Sequence, residues 1–321
     1  MGRNKEREIW LAIGGIFLLI YPFIFTLPFP QHIMIMIFLY ASMGLAWNMI
    51  GGYAGQIALG NAVFFGIGAY TSSLMLMKLG VSPWVGMLVG GIISVIISFG
   101  IGYPCFKLAG HYFAIATIAI GEIAQHWFLN WDWAGSAVGL KLPILPESFI
   151  YFEFHKSKLP YYYIAFGIFL LTISCTYWMD RSKLGCYFRA IKGDQEAARS
   201  LGIDVARYKF YALAMSAFFT SICGSFYAQY VLFIDPDSVF PLMLSIIVCL
   251  IATLGGVGTV WGPVIGAFFL IPVSEFTRIY FGGGGKGTDL IIYGFLIVLI
   301  SIYQPFGVIG LSKLFKKRET A

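Results

Sequence analysis

Charge is scarce in this sequence of 321 residues: 11% are Asp, Glu, Lys or Arg, where a wetted globular surface ordinarily carries roughly a quarter. That deficit excludes a soluble domain, and it excludes a disordered chain even more firmly. Cysteine is scarce as well, with five residues, so a disulfide scaffold is excluded. Cys105, Cys175, Cys186, Cys223 and Cys249 show no metal-ligand spacing, and no metal site is expected. The Gly285-Lys286 pair lacks both the upstream glycine and the following Ser or Thr of a phosphate-binding loop. HExxH and GxSxG are missing too. The chain is expected to be non-catalytic and to bind no cofactor of its own.

What is present is apolar: 59% hydrophobic residues, 18% aromatic residues and a mean hydropathy of +0.82. A hydrocarbon core about 30 Å thick needs roughly 20 apolar residues per helix, and long runs without ten-residue alternation select helices over a barrel. The runs predict spans at 9–27, 32–50, 60–77, 84–103, 112–128, 161–179, 210–230, 239–254, 262–281 and 290–303. The expected fold class is therefore all-α, a polytopic integral membrane helical bundle of about ten transmembrane helices set in a lipid bilayer. Trp10, Trp84, Trp127, Trp131, Trp178, Tyr280 and Tyr303 fall near predicted ends, as interfacial aromatics do.

Lys and Arg gather at three places: Arg3, Lys5 and Arg7; seven residues between 180 and 209; and Lys313, Lys316, Lys317 and Arg318. Together these hold 14 of the 21 basic residues. Cytoplasmic flanks are enriched in both residue types, and an even number of predicted spans separates each pair of clusters. Both termini and the 180–209 segment are accordingly expected in the cytoplasm, and the loop 130–160, balanced in charge, outside it. Topology accounts for the net charge of +6, and no nucleic-acid partner is needed.

The segment 180–209 is longer than a topological connector requires, and its punctuation predicts short helices in series. Gly193 would stop the first as a left-handed residue, Asp194 would cap the second, Gly202 and Ile203 would end that, and Asp204 would start the seventh span. Glu196 and Arg199 suit the two ends of the middle helix, and Ala197, Ala198 and Leu201 would form a mildly apolar face. Such an element can seat in a groove of another protein and transmit a push, or it can be a solvated connector.

Two other stretches are rich in glycine. In 48–70, Gly51, Gly52 and Gly55 accompany the polar Asn48, Gln56 and Asn61. In 254–268, Gly255 and Gly256 again follow a span and precede small residues, which hints at an internal repeat of the kind found along transport paths. Glycines there serve either a broken helix lining a cavity or close helix packing. The named residues are the candidates for a translocation pathway. Two ionisable pairs, Glu122 with His126 and Glu275 with Arg278, fall within predicted spans. A charge at the bilayer centre costs about 2.5 to 3.5 kcal/mol, so both pairs are expected to be buried inside the bundle or near its ends, as relays or as self-paired structural groups.

These regions resemble the permease subunits of branched-chain amino-acid ABC importers, the M-type (LivM) family, from about Tyr40 to Gly310. The resemblance rests on Asn48, Gly51-Gly52-Tyr53-Ala54-Gly55-Gln56, Leu59-Gly60 and Gly68-Ala69-Tyr70. It continues with Tyr112-Phe113-Ala114-Ile115 through Glu122-Ile123, Arg181-Ser182-Lys183-Leu184-Gly185, Arg189-Ala190-Ile191, Glu196-Ala197-Ala198 with Gly202, Gly255-Gly256-Val257-Gly258 and Gly262-Pro263. The stretch Gly135 to Leu140 is only similar to the usual outer loop, and Gln304-Pro305-Phe306-Gly307 lacks flanking arginines.

The resemblance implies that residues 1–321 form one transmembrane permease domain. Arg189, Glu196, Ala197, Ala198 and Gly202 would then couple to two cytoplasmic ABC ATPase subunits, through which ATP acts. It further implies a second, H-type permease subunit, an external solute-binding protein, a bacterial inner-membrane location and inward transport of Leu, Ile and Val. A urea or short-amide ABC permease, or a self-sufficient secondary carrier, is the alternative.

Overall fold

The computed structural model describes residues 14–25, 27–108, 110–154, 156–281 and 294–295. The terminal basic clusters lie outside the described residues, as does the predicted span 290–303 except for 294 and 295. Within them the chain is helical almost throughout. The helices are α1 (Gly14–Ile24), α2 (Pro28–Trp47), α3 (Asn61–Leu79), α4 (Pro83–Cys105), α5 (His111–Leu129), α6 (Leu159–Arg181), α7 (Lys183–Gly193), α8 (Gln195–Ser200), α9 (Val205–Val231), α10 (Pro236–Val239), α11 (Leu242–Gly255) and α12 (Gly262–Phe281). Proline in the first turn starts α2, α4 and α6, where its missing N–H costs nothing. Gly80, at φ +63°, closes α3.

Among the described residues, six helical stretches are long and apolar enough to cross a membrane: Pro28–Tyr53, α3, α4, α6, α9 and Pro236–Gly255. Gly14–Ile24 and Gly262–Thr277 are shorter apolar helices. α5 has 19 residues and is not among the six; His111, Glu122, Gln125 and His126 dilute its apolar run. The chain is a multi-pass helical membrane protein. α9 starts at Val205 rather than 210 because the Asp204 carboxylate accepts from the Arg207 amide, so the last five residues of the 180–209 segment belong to α9.

α2 is apolar around its whole circumference and almost entirely buried, which makes it the central helix. α6, α9, α11 and α12 pack around it. α3, α4 and α9 form the tightest group, because small residues let their backbones touch. A Cβ added at Gly68 would lie 2.0 Å from the Ser221 carbonyl oxygen, and one added at Gly224 would lie 1.9 Å from that of Phe65. The Ser225 hydroxyl donates to the Gly68 carbonyl at the same crossing, 2.9 Å away.

One end of the bundle is covered by the 130–160 loop. Its strand β1 (Leu140–Lys141) pairs antiparallel with β2 (Phe233–Ile234), just beyond α9. Lys78 at the end of α3 donates to the Trp133 carbonyl and lies over the Trp133 ring, and Trp84 at the start of α4 donates to that of Phe149. The other end carries α7 and α8, reached through the 23 residues of α6, about 34 Å of helix. The loop and the 180–204 element therefore sit on opposite faces.

Candidate functional site

The middle of the 180–209 segment folds as its capping residues dictate. One Asp194 carboxylate oxygen accepts from the amides of Glu196 and Ala197, at 2.8 and 3.1 Å. At the other end Gly202 is left-handed, at φ +82°. Its amide donates to the Arg199 carbonyl, and the Ile203 amide donates to that of Ala198, the paired bonds of a Schellman ending. Gly193 behaves differently from expectation. It is the last residue of α7 and its φ is not positive, because extended Asp194 turns the chain and its amide bonds to the Ala190 carbonyl.

The mildly apolar face expected of α8 is split between two sides. Ala198 turns inward against Ile191 of α7 and Val205 of α9, whereas Ala197 is exposed and Leu201 is 81% exposed. Glu196 pairs with Arg199 on the surface at 2.9 Å. Arg189 does not face outward alone, since its guanidinium binds the Asp180 side chain and backbone carbonyl at the end of α6. Lys209 of α9 donates to Gln195 of α8 at 2.9 Å. The element is thus fastened to α6 and α9, and presents Ala197 and Leu201 to its surroundings.

Both readings of the first glycine stretch apply, at different positions. α2 widens into a π-helix, Asn48–Tyr53, and then unwinds until α3 starts at Asn61. The unwound backbone is satisfied piecemeal, as burial at membrane depth demands. Trp47 donates to the Ala58 carbonyl, Thr117 of α5 accepts from Leu59, Ser245 of α11 accepts from Ala62, and the Gln56 amide donates to the Ile50 carbonyl. Gly55, at φ +71°, makes the turn, and Gln56 is buried beneath it. Asn61 is buried, with only a long 3.5 Å contact from its amide nitrogen to Ser216.

Asn48 and Gly52 of the first glycine stretch meet Gly258 and Thr259, just beyond Gly255 and Gly256, in one close-packed junction. The fully buried Asn48 donates to the Thr259 carbonyl at 2.9 Å and accepts from the Gly258 amide at 2.8 Å. A Cβ at Gly52 would lie 1.8 Å from the Asn48 side-chain oxygen, and one at Gly51 would lie 2.5 Å from the Trp47 ring. A Cβ at Gly255 would lie 1.7 Å from the Gly262 carbonyl, and Gly256 takes φ +131°. The two similar stretches are therefore bonded to each other. A Lys192 ammonium completes the junction by donating to the Gly52 carbonyl at 2.8 Å.

The first ionisable pair is not buried in this chain. Glu122 and His126 are exposed on α5, and among the described residues no ion pair joins them. The reason is angular. α5 buries only Phe113 and Thr117, and residue 122 lies about 140° around the helix from residue 117. Glu122 borders a narrow crevice shared with Leu59, Gly60, Leu242 and Ser245. Glu275 is half-buried on α12, close enough to Tyr230 to interact electrostatically. The Arg278 side chain lies outside the described residues.

The groove of about 670 Å³ among α3, α4 and α5 is almost wholly apolar, which suits hydrocarbon better than a zwitterion.

Residues 29–301 match the family described as branched-chain amino acid transport system, permease component. The chain belongs to this family. As a permease, it is 27% identical over 97% of its length to the high-affinity branched-chain amino acid transport system permease protein LivM of Salmonella typhimurium, covering 77% of that protein. It is 25% identical to LivM of Escherichia coli K12 with the same coverage of both chains. The permease is also 24% identical to LivH of Salmonella typhimurium, over 84% of its own length and 91% of that protein. No solved structure gives a significant match. Sequence reasoning did not single out Lys192, Thr117 or Ser245, which hold the unwound segment. Thr117 lies unremarked inside the 112–123 stretch, Ser245 carries no motif, and Lys192 is masked by the ordinary excess of basic residues in such loops.

Proposed function

We propose that this chain is the membrane-spanning permease subunit of an ATP-binding-cassette importer that moves Leu, Ile and Val inward across the bacterial cytoplasmic membrane. What carries the substrate class is the similarity along 97% of the chain to two permeases of branched-chain amino-acid systems. It forms a single domain of about ten spans with both termini cytoplasmic, in keeping with the parity of its basic clusters. It works beside a second, H-type permease, two cytoplasmic ATPases and an external solute-binding protein. It is not itself an enzyme and holds no cofactor, ATP acting through the partner subunits.

The geometry suggests how the parts divide. A carboxylate facing lipid at membrane depth costs about 2.5 to 3.5 kcal/mol, so the exposed Glu122 and His126 mark a face of α5 covered by the second permease or by the water of the path between the two. That path runs along α5 and the unwound segment at Gly60, with Asn48, Gly51, Gly52, Gly255 and Gly256 as its packed wall. On the cytoplasmic side, Ala197 and Leu201 are the contact offered to an ATPase, and Arg189, Glu196, Ala198 and Gly202 shape the helix that presents them.

Purification of the complex from membranes tests the assembly: two ATPases and a second permease should be recovered. Uptake competition among leucine, valine and urea tests the substrate, and inhibition by urea alone would reject the amino-acid assignment. Glu122→Gln should leave membrane accumulation unchanged, because the side chain is exposed, while lowering uptake about tenfold or more; normal uptake would remove Glu122 from the path. Leu201→Asp should leave the chain folded and lower ATPase recovery about tenfold, since a charge replaces the apolar anchor of the contact; undiminished recovery would place the ATPase contact elsewhere.

A further inference from the structure

We propose that Lys192 is a positioning residue that carries movement of the α7–α8 element into the unwound stretch between α2 and α3. The inference rests on the coupling role given above to that element.

The Gly52 carbonyl stands near the end of the π-helix, where Gly55 turns the chain away at φ +71°. It receives its hydrogen bond from the Lys192 ammonium, 140 residues away in sequence and 2.8 Å away in space. The contact is close along the whole side chain. A Cβ on Gly55 would lie 3.0 Å from Lys192 Cγ and 3.3 Å from its Cα, and one on Gly258 would lie 3.3 Å from its Nζ. Lys192 thus touches the turn after the π-helix and the 256–261 loop at once, and Asn48 bonds the π-helix to that same loop.

The other end of the linkage is rigid. Ile191, adjacent to Lys192, packs on Ala198 of α8 and Val205 of α9, and Arg189 is bound to the end of α6. A displacement of α8 therefore reaches α7 through close-packed side chains, which transmit strain instead of absorbing it. From Lys192 it passes to Gly52 and so to residues 54–60, whose far end touches α5 at Thr117. An ammonium suits this joint. A charged donor holds a carbonyl more strongly than a neutral one, and its flexible stem follows the carbonyl through a range of positions.

The test uses the complex purified from membranes and reconstituted in vesicles, with wild-type chain, Lys192→Met and Lys192→Arg. Recovery of ATPases with the wild type checks the coupling role, and their absence would reject that role and leave the joint without a function. With assembly established, Lys192→Met should assemble and melt close to the wild type, because Lys192 is exposed and water can take its place at the Gly52 carbonyl. Its ATP hydrolysis should stay within about twofold of wild type while uptake falls about tenfold or more, so that more ATP is spent per amino acid moved. Lys192→Arg, which keeps a charged donor, should restore much of the uptake. Three results would overturn the proposal: uptake by Lys192→Met within about twofold of wild type, a parallel fall of uptake and hydrolysis, or failure of Lys192→Met to assemble, which would make the ammonium structural only.

Discussion

Valine at Gly224 or Gly68 is expected to leave almost no folded permease in the membrane. At Gly224 even the first added carbon would lie 1.9 Å from the Phe65 carbonyl oxygen, and at Gly68 it would lie 2.0 Å from that of Ser221. Both obstacles are backbone within helices, so relief requires α3 and α9 to move apart. That separation would break the Ser225 bond to Gly68 and open the tightest helix group in the fold. Overpacking of this kind costs about 3 kcal/mol or more, and in lipid there is no hydrophobic drive between helices to offset it. Gly167 and Gly121, also within helices, have nothing within 4 Å of an added Cβ. Gly167→Ala should accumulate normally. Membrane levels and thermal unfolding in detergent provide the comparison, and normal accumulation of Gly224→Val would show that the crossing is looser than its geometry states.

Loss of the Asn48 amide should be the next most damaging change. Asn48→Ala leaves the Gly258 amide and the Thr259 carbonyl without their present partner, and a buried group left unpaired costs about 1 to 3 kcal/mol. Asn48→Asp keeps the acceptor for Gly258 but replaces the donor with a carboxylate oxygen beside the Thr259 carbonyl. The two substitutions should lower the unfolding midpoint together, with Asp no better than Ala, and both should abolish uptake through the displaced π-helix. A variant that unfolds normally yet fails to transport would instead assign Asn48 to the substrate path.

The two ends of the cytoplasmic element were legible in advance because capping is a local matter. Asp194, Gly202, Ile203 and Asp204 act on residues two to five positions away, and no distant neighbour enters. Gly193 misled for the same reason in reverse, since extended Asp194 ended α7 and left the glycine nothing to do. Glu122 and His126 could be assigned to a span, but not to a side of it: spacing states which residues share a face, and only packing states which face is covered. The glycines of 48–70 and 254–268 announced an irregularity without revealing that the two stretches bond to each other. Lys192 was invisible among seven basic residues of one segment, any of which topology alone would explain.

By itself, the sequence determined the solvent of this protein, most of its helices and its family, since apolar run length, capping residues and short local motifs act over short separations along the chain. The tertiary structure decided what each polar group is for. It spent Asn48 on the junction of two glycine stretches, left Glu122 uncovered on α5 and set the Lys192 ammonium against the Gly52 carbonyl. Those outcomes depend on which helix faces which, and close packing between segments more than a hundred residues apart settles that.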